Sequence, residues 1–189
     1  MKFRAFVSVV IHPNATLEAL LDDLSSSNAG LKVVKPTNLH VTLKFLGDTE
    51  ESLTSDITRM MEEAANDISP FEVRLRGMGA FPSLSNMRVI WVGIENGKEL
   101  ATLAERLDSS FASLGIRREK RAFRPHLTVA RSRGGDGAGN VQSIIATNTA
   151  TDYGDYIIDR VALMKSVLTP KGPIYSDVKV VRLVNSRDA

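Results

Sequence analysis

The sequence predicts a mixed helix-and-strand protein in which one unit occurs twice and forms two similar lobes. The first observation is a repeated phrase, LHVTLKFLG in the first quarter of the chain and HLTVAR two thirds of the way along. The second is spacing: 37 positions separate Phe3 from His40 and 38 separate Arg88 from His126, with a strand and a helix predicted in each interval. We interpret the units as a diverged internal duplication whose period belongs to none of the solenoid families. Two such lobes commonly pack about a pseudo-twofold axis, which would bring the motif strands face to face across a cleft.

The elements of the first unit follow from β-branched and aromatic runs, which favour strands, and from leucines at helical spacing, which favour a helix. In chain order we predict a strand at residues 3–11, a helix at 16–27, a short strand at 33–34, a motif strand at 39–46, a turn at 47–48 and a helix at 50–67. Pro13 ends the first strand and Pro36 the short one.

The second unit and its flanks are assigned in the same way. In chain order we predict a strand at residues 71–76, a short apolar piece at 78–81, a strand at 87–94, a helix at 98–114, the second motif within 121–131, a weak helix at 140–148, and strands at 156–168 and 174–184 around a turn at 169–173. The strand at 87–94 is apolar almost throughout, which predicts burial on both faces. The tail at 185–189 is expected to fray.

Composition bounds the class of protein. An apolar content of 43% and a charged content of 24% are ordinary for a globular chain, and 189 residues suit one two-lobed domain over residues 1–189. No apolar run approaches the roughly 18–20 residues that cross a bilayer, so we expect no membrane association. The apolar start is interpreted as a strand rather than a signal peptide. With 0 cysteines, disulfides, thiolate metal sites and cysteine nucleophiles are excluded, which fits a cytoplasmic protein.

Basic residues cluster beside the second motif, although the net charge is only +2. The cluster is Arg117, Arg118, Lys120, Arg121, Arg124, Arg131 and Arg133. It is compatible with a phosphate-bearing partner, but charge patterning alone favours a solvated loop. The glycine-rich loop at 134–139 lacks the Lys-Ser/Thr of a P-loop, so we assign it no phosphate role.

The two motifs favour proton transfer. Alternation in a strand places His40 and Thr42 on one face and likewise His126 and Thr128, with apolar residues on the other face. Near pH 7 one imidazole can be neutral and the other protonated, so one can take a proton from an attacking oxygen while the other gives one to a leaving oxygen. The threonine hydroxyls can donate to phosphate oxygens, and a nearby arginine can supply charge without a metal.

A structural role and a metal site are the two other uses that these histidines could have. A single histidine on a strand is usually structural, and His12, which has no threonine two positions later, is assigned no role. Two copies in matching positions of a duplicated unit reverse that preference. A zinc site has no obvious third and fourth ligands, since there is no His-Glu-x-x-His and no cysteine, so we predict no metal and no cofactor.

Several stretches resemble one known family, the 2H phosphoesterase superfamily, which is named for two His-x-Thr (HxTx) motifs. The matching stretches are PTNLHVTLKFLG, GAFP at 79–82, VIWVG at 89–93, FRPHLTVAR and the late GPIY. Within the superfamily the chain is similar to the RNA 2′,3′-cyclic phosphodiesterases, also called 2′-5′ RNA ligases. The resemblance implies an α+β fold of two pseudo-symmetric lobes, with antiparallel sheets lining a central cleft and helices on the outside.

The resemblance also implies a reaction and the residues for it. His40 and His126 match the catalytic histidines, the first described as proton donor and the second as acceptor, and Thr42 and Thr128 match phosphate-contacting threonines. The expected reaction is metal-independent hydrolysis of a terminal 2′,3′-cyclic phosphate to a 2′-phosphate. One alternative is joining the cyclic phosphate to a 5′-hydroxyl as a 2′-5′ bond, and another is a non-catalytic RNA-end binding module. Intact threonines in both motifs argue against lost catalysis.

The arginine contacts and the partners are also predicted. Arg131 has the opposite parity to His126 and would need a strand end or bulge to reach the cleft, whereas Arg124 has the right parity but precedes Pro125. We predict both as RNA contacts, with Arg124 the better placed. The expected partner is RNA with a 2′,3′-cyclic phosphate end, tRNA fragments included, and we expect a monomer.

Overall fold

The computed structural model describes residues 1–27, 29–132, 138–170 and 172–184. Over these residues the chain forms nine strands and four α-helices. The strands are β1 (Lys2–Val10), β2 (Leu31–Val33), β3 (His40–Glu50), β4 (Phe71–Ser83), β5 (Asn86–Glu95), β6 (His126–Ser132), β7 (Asp152–Ile158), β8 (Arg160–Thr169) and β9 (Gly172–Arg182). The helices are α1 (Ala15–Ser26), α2 (Thr54–Ala65), α3 (Lys98–Ser110) and α4 (Ala138–Thr147). Most of the glycine-rich loop and the tail at 185–189 lie outside the described residues.

Two antiparallel sheets contain all nine strands. The first sheet has the order β3-β1-β8-β9, and the second has the order β2-β6-β5-β4-β7. In each sheet a motif strand pairs with the strand that opens its unit, β3 with β1 and β6 with β5. This confirms the predicted α+β fold with antiparallel sheets. In the described part of the chain, no helix combines the length and the apolar character needed to cross a membrane.

The two lobes exchange strands. After α2 of the first unit, β4 joins the second sheet beside β5, and after β7 the chain returns to the first sheet as β8 beside β1. Helix α3 of the second unit packs on β3 of the first sheet, and one buried apolar cluster contains residues of both sheets. The lobes are therefore held together by a shared core, which fixes the motif strands relative to each other.

Helix α1 shows how local sequence sets an element and ties it to the far end of the chain. Asn14 caps it, its side-chain oxygen accepting from the backbone N–H of Leu17 at 2.9 Å. The same side chain donates through Nδ2 to the carbonyl of Tyr153 at 2.7 Å. Its four leucines are all buried. The predicted leucine stripe is thus the face that the helix packs inward.

Two predicted breaks are wrong because glycines bend the chain within a strand instead of ending it. The expected turn at 47–48 lies inside β3, where a register shift leaves Leu46 unpaired and Gly47 has φ 73°. The predicted pieces at 71–76 and 78–81 are one strand, β4, with a bulge at Gly77, whose φ is 68°. A positive φ is easily adopted by glycine, so a bulge forms and pairing continues.

Two further predictions need correction. The strand predicted at 156–168 is two strands in different sheets, β7 and β8, which separate at Asp159 without any glycine or proline to mark the break. The strand at 87–94 is not buried on both faces: Ile90 and Val92 are fully buried, whereas Val89 and Trp91 keep part of their surface. That second face of β5 carries Trp91, which pairs with Thr128 of the second motif.

Candidate active site

The motif strands present their histidines and threonines on equivalent positions of the two sheets. In the first sheet His40 pairs with Val10 and Thr42 with Ser8. The four side chains of the two motifs are half-buried, while the apolar residues between them are buried, as the alternation predicted. Strands β3 and β6 contact each other. The duplicated motifs therefore lie on strands that meet where the two sheets adjoin.

Each imidazole is held by the same backbone contact. Nδ1 of His40 lies 2.7 Å from the carbonyl oxygen of Asn38, and Nδ1 of His126 lies 2.7 Å from the carbonyl oxygen of Arg124. A carbonyl can only accept, so in both rings Nδ1 carries the hydrogen. This leaves Nε2 of each ring as the nitrogen that can exchange a proton with a ligand.

Aromatic rings pack against both imidazoles. His40 lies 5.0 Å from the ring of Phe6 and 5.2 Å, edge-on, from Tyr175. His126 lies 5.2 Å, edge-on, from Phe81, whose ring is 5.2 Å from Trp91. These contacts restrict rotation of the imidazoles. The sequence prediction assigned none of these aromatics to the site, although Tyr175 and Phe81 lie in the GPIY and GAFP stretches.

A matched pair of bulges follows the two motifs. Thr42 pairs with Ser8 but Lys44 with Val7, so Leu43 is the extra residue; likewise Val129 is extra between Thr128 and Ala130. One unpaired residue reverses the alternation of the side chains beyond it. The residue five positions after each histidine is consequently returned to the histidine face.

Those two returned residues are Phe45 and Arg131. Phe45 pairs with Phe6, whose ring contacts His40, and Arg131 pairs with Val89 on the partly exposed face of β5. The charge of Arg131 acts on His40 and on Tyr175, both in the other sheet. The bulge that Arg131 was predicted to need is therefore present. The side chain of Arg124 is exposed, and its backbone carbonyl is the partner of His126.

The environment of His40 favours its neutral form. Burial lowers the pKa of His40, the hydrogen bond to the Asn38 carbonyl opposes this change, and the positive charge of Arg131 lowers the pKa further. Burial raises the pKa of the Tyr175 hydroxyl, so this neighbour stays neutral. His40 in the ligand-free protein is therefore mostly neutral at pH 7.

Polar groups suited to an anion surround the histidines. The hydroxyls of Thr42 and Thr128 have no hydrogen-bond partner within the described residues. Opposite these threonines, Oγ of Ser8 and Nε1 of Trp91 are buried and likewise have no partner among those residues. The half-buried threonines thus offer two hydroxyl donors that form no hydrogen bond within the described residues. Among the same residues, no three histidine, aspartate or glutamate side chains lie together as metal ligands would.

Lys44, the basic residue of the first motif, is a buried cation that the sequence prediction left without a role. Its Nζ donates to Oδ1 of Asp108 at 2.6 Å and to the carbonyl of Arg117 at 2.7 Å. Burial would raise the pKa of Asp108, but hydrogen bonds from Lys44, the Glu119 backbone and Arg118 outweigh it and lower that pKa. Lys44 thereby joins the first motif strand to the segment that leads into the second motif.

Comparison with known proteins gives one consistent result. Residues 8–169 match the model of the 2′-5′ RNA ligase superfamily. An RNA 2′,3′-cyclic phosphodiesterase of Methanothermobacter thermautotrophicus is 37% identical, over 97% of this chain and 100% of its own length. One of Archaeoglobus fulgidus is 35% identical over 94% of this chain and 98% of its own.

Solved structures share the fold. A crystal structure of a Thermus thermophilus protein superposes with a TM-score of 0.80 at 29% identity, covering 97% of this chain and 99% of that one. Escherichia coli LigT complexed with 3′-AMP superposes with a TM-score of 0.73 at 22% identity, covering 97% and 99%. The two-sheet arrangement is thus shared across the lengths of all three chains.

Proposed function

The chain belongs to the 2′-5′ RNA ligase superfamily, and we propose that it is an RNA 2′,3′-cyclic phosphodiesterase that hydrolyses cyclic phosphate ends to 2′-phosphates. One observation carries this proposal: each motif holds Nδ1 of its histidine on a backbone carbonyl, so both imidazoles present Nε2 for proton exchange. Relatives of nearly equal length that are named for this activity support it.

The two imidazoles divide the proton transfers of one displacement at phosphorus. In our assignment, Nε2 of His126 accepts a proton from water as the water oxygen attacks the cyclic phosphate. The bond between phosphorus and the 3′ oxygen breaks, and Nε2 of His40 gives its proton to that oxygen. The product has a 2′-phosphate and a 3′-hydroxyl. His126 then releases the proton that it took from water, and His40 takes up a proton from solvent, so both histidines return to their starting states.

The remaining groups stabilise the phosphate. The hydroxyls of Thr42 and Thr128, each beside a histidine and without a partner in the described part of the chain, can each donate to a non-bridging oxygen. Arg131, which the bulge at Val129 returns to the histidine face, supplies positive charge from the second sheet. Donors fixed before the reaction stabilise the charge of the transition state without reorganising. This set can perform the reaction without a metal, and we prefer Arg131 to Arg124 as the phosphate contact.

His40 must gain a proton when substrate binds if it acts as the acid, because burial and Arg131 lower its pKa in the free protein. An anionic phosphate in contact with His40 would raise that pKa, and it would also offset the charge of Arg131. Substrate binding and protonation of His40 are therefore linked in the proposed mechanism.

Product analysis tests the proposal. Purified protein with a chelator should convert a short RNA ending in 2′,3′-cyclic phosphate to one ending in 2′-phosphate. A 5′-hydroxyl acceptor RNA, added in parallel, would reveal joining through a 2′-5′ bond, the activity for which the matching superfamily is named. Binding of the RNA without conversion would overturn the enzymatic proposal in favour of an RNA-end binding module.

A further inference from the structure

We propose that a groove beside the end of β3 binds the RNA strand upstream of the cyclic phosphate, with a base stacked on Phe45 and backbone phosphates against Arg117, Lys120 and Arg121. The proposal rests on the proposed function, since it concerns how the same RNA is held beyond its reacting end. It assigns a role to the basic cluster that charge patterning alone would attribute to a solvated loop.

The groove lies between the bulged part of β3 and the segment before the second motif. Its volume is about 540 Å³, and its walls are residues 45–47 on one side and 116–121 on the other. Leu46 and Ile116 contribute apolar surface, and the segment contributes cations. A basic groove with an aromatic side chain is the usual form of a site for single-stranded nucleic acid.

Phe45 is the aromatic element of this groove. Its side chain is 57% exposed, although the residue lies within a strand and next to the core. The bulge at Leu43 turns it to the histidine face, and its ring centroid lies 6.3 Å from that of Phe6, which contacts His40. The buried ring of Phe6 therefore connects His40 to the exposed ring of Phe45 in the groove. An exposed ring in that position is available for stacking on a base.

The charges in the groove favour an anionic ligand. Arg117, Lys120 and Arg121 are exposed, and their side chains form no ion pair with any described residue. The one acidic side chain, Glu119, lies 3.7 Å from Nζ of the buried Lys44. The groove thus keeps three uncompensated cations, which attract successive phosphates of a polyanion.

The segment is anchored to the protein. Lys44 donates to the Arg117 carbonyl, and Oδ1 of Asp108 accepts from the Glu119 backbone N–H at 2.8 Å. Nε of Arg118 donates to Oδ2 of the same carboxylate at 3.1 Å. These bonds hold the backbone of residues 117–119, next to Lys120 and Arg121, which are unpaired within the described residues. Less conformational entropy is therefore lost when an RNA strand binds.

The position of the groove matches a strand that continues from the reacting end. The ring centroids of His40 and Phe6 lie 5.0 Å apart and those of Phe6 and Phe45 lie 6.3 Å apart, so the ring of Phe45 lies no more than about 11.3 Å from the imidazole. We therefore assign Phe45 to the base that precedes the terminal nucleotide, and Arg117, Lys120 and Arg121, on the other wall of the groove, to the phosphates upstream of it. A nucleoside 2′,3′-cyclic phosphate should fill the catalytic cleft and leave the groove empty.

Two substrates of different length distinguish the contribution of the groove from that of the catalytic site. We would measure kcat/KM on a nucleoside 2′,3′-cyclic phosphate and on a six-nucleotide RNA with the same cyclic end. Phe45→Ala should lower kcat/KM for the RNA about tenfold, consistent with the loss of one stacked base, and leave the value for the nucleoside unchanged. The triple variant Arg117→Gln, Lys120→Gln, Arg121→Gln should act in the same direction. It should also reduce the salt slope of RNA affinity by about 2, at about 0.7 for each phosphate contact.

A charge-matched control uses three exposed cations outside the groove, Lys98, Lys179 and Arg182, each changed to Gln. It should leave the ratio of the two kcat/KM values at the wild-type level. Equal losses on both substrates, or no loss on the RNA, would overturn the groove proposal while the hydrolase proposal stands. Loss confined to joining of a 5′-hydroxyl acceptor would also overturn it, because the groove would then hold the other strand. Failure of wild-type protein on both substrates would instead contradict the proposed function.

Discussion

The two lobes are alike at the histidines and differ one step further along each motif strand. In both, Nδ1 of the histidine lies 2.7 Å from the carbonyl two residues earlier, and a bulge follows at the third position after the histidine. Beyond the bulge the lobes diverge: Lys44 corresponds to Ala130, and Phe45 to Arg131. The two lobes share the geometry that the proposed mechanism uses for proton transfer, and they differ in the side chains that we propose to contact the two ends of an asymmetric ligand.

Substitution of each histidine tests whether the two lobes contribute equivalent catalytic groups. His40→Ala and His126→Ala should each lower kcat on cyclic-phosphate RNA about 10³-fold, because general acid–base catalysis supplies effects of that order. His12→Ala removes the exposed third histidine and should have wild-type kcat. Either motif variant retaining full activity would sink the two-histidine mechanism.

The assigned directions of proton transfer can be separated with a better leaving group. A cyclic phosphate with sulfur as the bridging 3′ atom needs no proton to leave. If His40 is the acid, this substrate should restore much of the activity of His40→Ala and little of that of His126→Ala. Restoration of His126→Ala instead would exchange the two roles.

The first residue after the bulge is Lys44 in one lobe and Ala130 in the other, and substitution of Lys44 tests what its buried ion pair contributes to stability. Lys44→Ala leaves the carboxylate of Asp108, whose side chain is only 13% exposed, without its buried partner, and should cost about 3 kcal/mol in free energy of unfolding. The double variant Lys44→Met, Asp108→Leu should recover much of that loss, because both charges are removed. Urea denaturation measures both. A loss under about 0.5 kcal/mol for Lys44→Ala would show that the pair contributes little to the fold.

The sequence predicted the motif pairs because strand alternation acts over neighbouring residues, and the paired His-x-Thr phrases are local. It did not predict Phe6 or Tyr175 beside His40, because those strands meet β3 only through the order of the first sheet. It also placed a turn at 47–48, since Gly47 alone cannot distinguish a chain reversal from a bulge. The bulge at Val129 contains no glycine that would mark it in the sequence. The sequence therefore predicted only that Arg131 would reach the histidine face if a bulge or strand end preceded it.

The second residue after the bulge is Arg131 in one lobe and Phe45 in the other, and substitution of Arg131 tests its proposed contact with phosphate. Arg131→Gln should lower kcat/KM about 30-fold, as expected from the loss of a charged hydrogen bond to phosphate. Arg124→Gln, which removes an exposed guanidinium but keeps the backbone carbonyl on His126, should lower it less than about threefold. Steady-state kinetics at one ionic strength compare the two. A larger loss in Arg124→Gln would return the phosphate contact to that residue.

The threonines should contribute equally if the lobes bind the phosphate symmetrically. Thr42→Val and Thr128→Val each remove one hydrogen bond from a neutral hydroxyl to the anionic phosphate, for which a loss of about tenfold in kcat/KM is expected. Thr42→Ser and Thr128→Ser keep the hydroxyl and should remain within twofold of wild type, a comparison that separates the hydroxyl from the shape of the side chain. Unequal losses would show that the phosphate lies closer to one lobe.

The pH dependence gives the smallest effect and bears on His40 alone. Because burial and Arg131 lower the pKa of His40, one limb of the kcat/KM profile, which reports the free protein, should lie below the ordinary histidine value of about 6.5. Bound phosphate favours the imidazolium, so the corresponding limb of kcat should lie at higher pH, and binding near neutrality should take up a fraction of a proton. Arg131→Gln removes a charge that lowers this pKa and should move the kcat/KM limb upward. Calorimetry in buffers of different ionisation enthalpy measures the uptake, and release of protons on binding would contradict the proposed protonation of His40 by its own substrate.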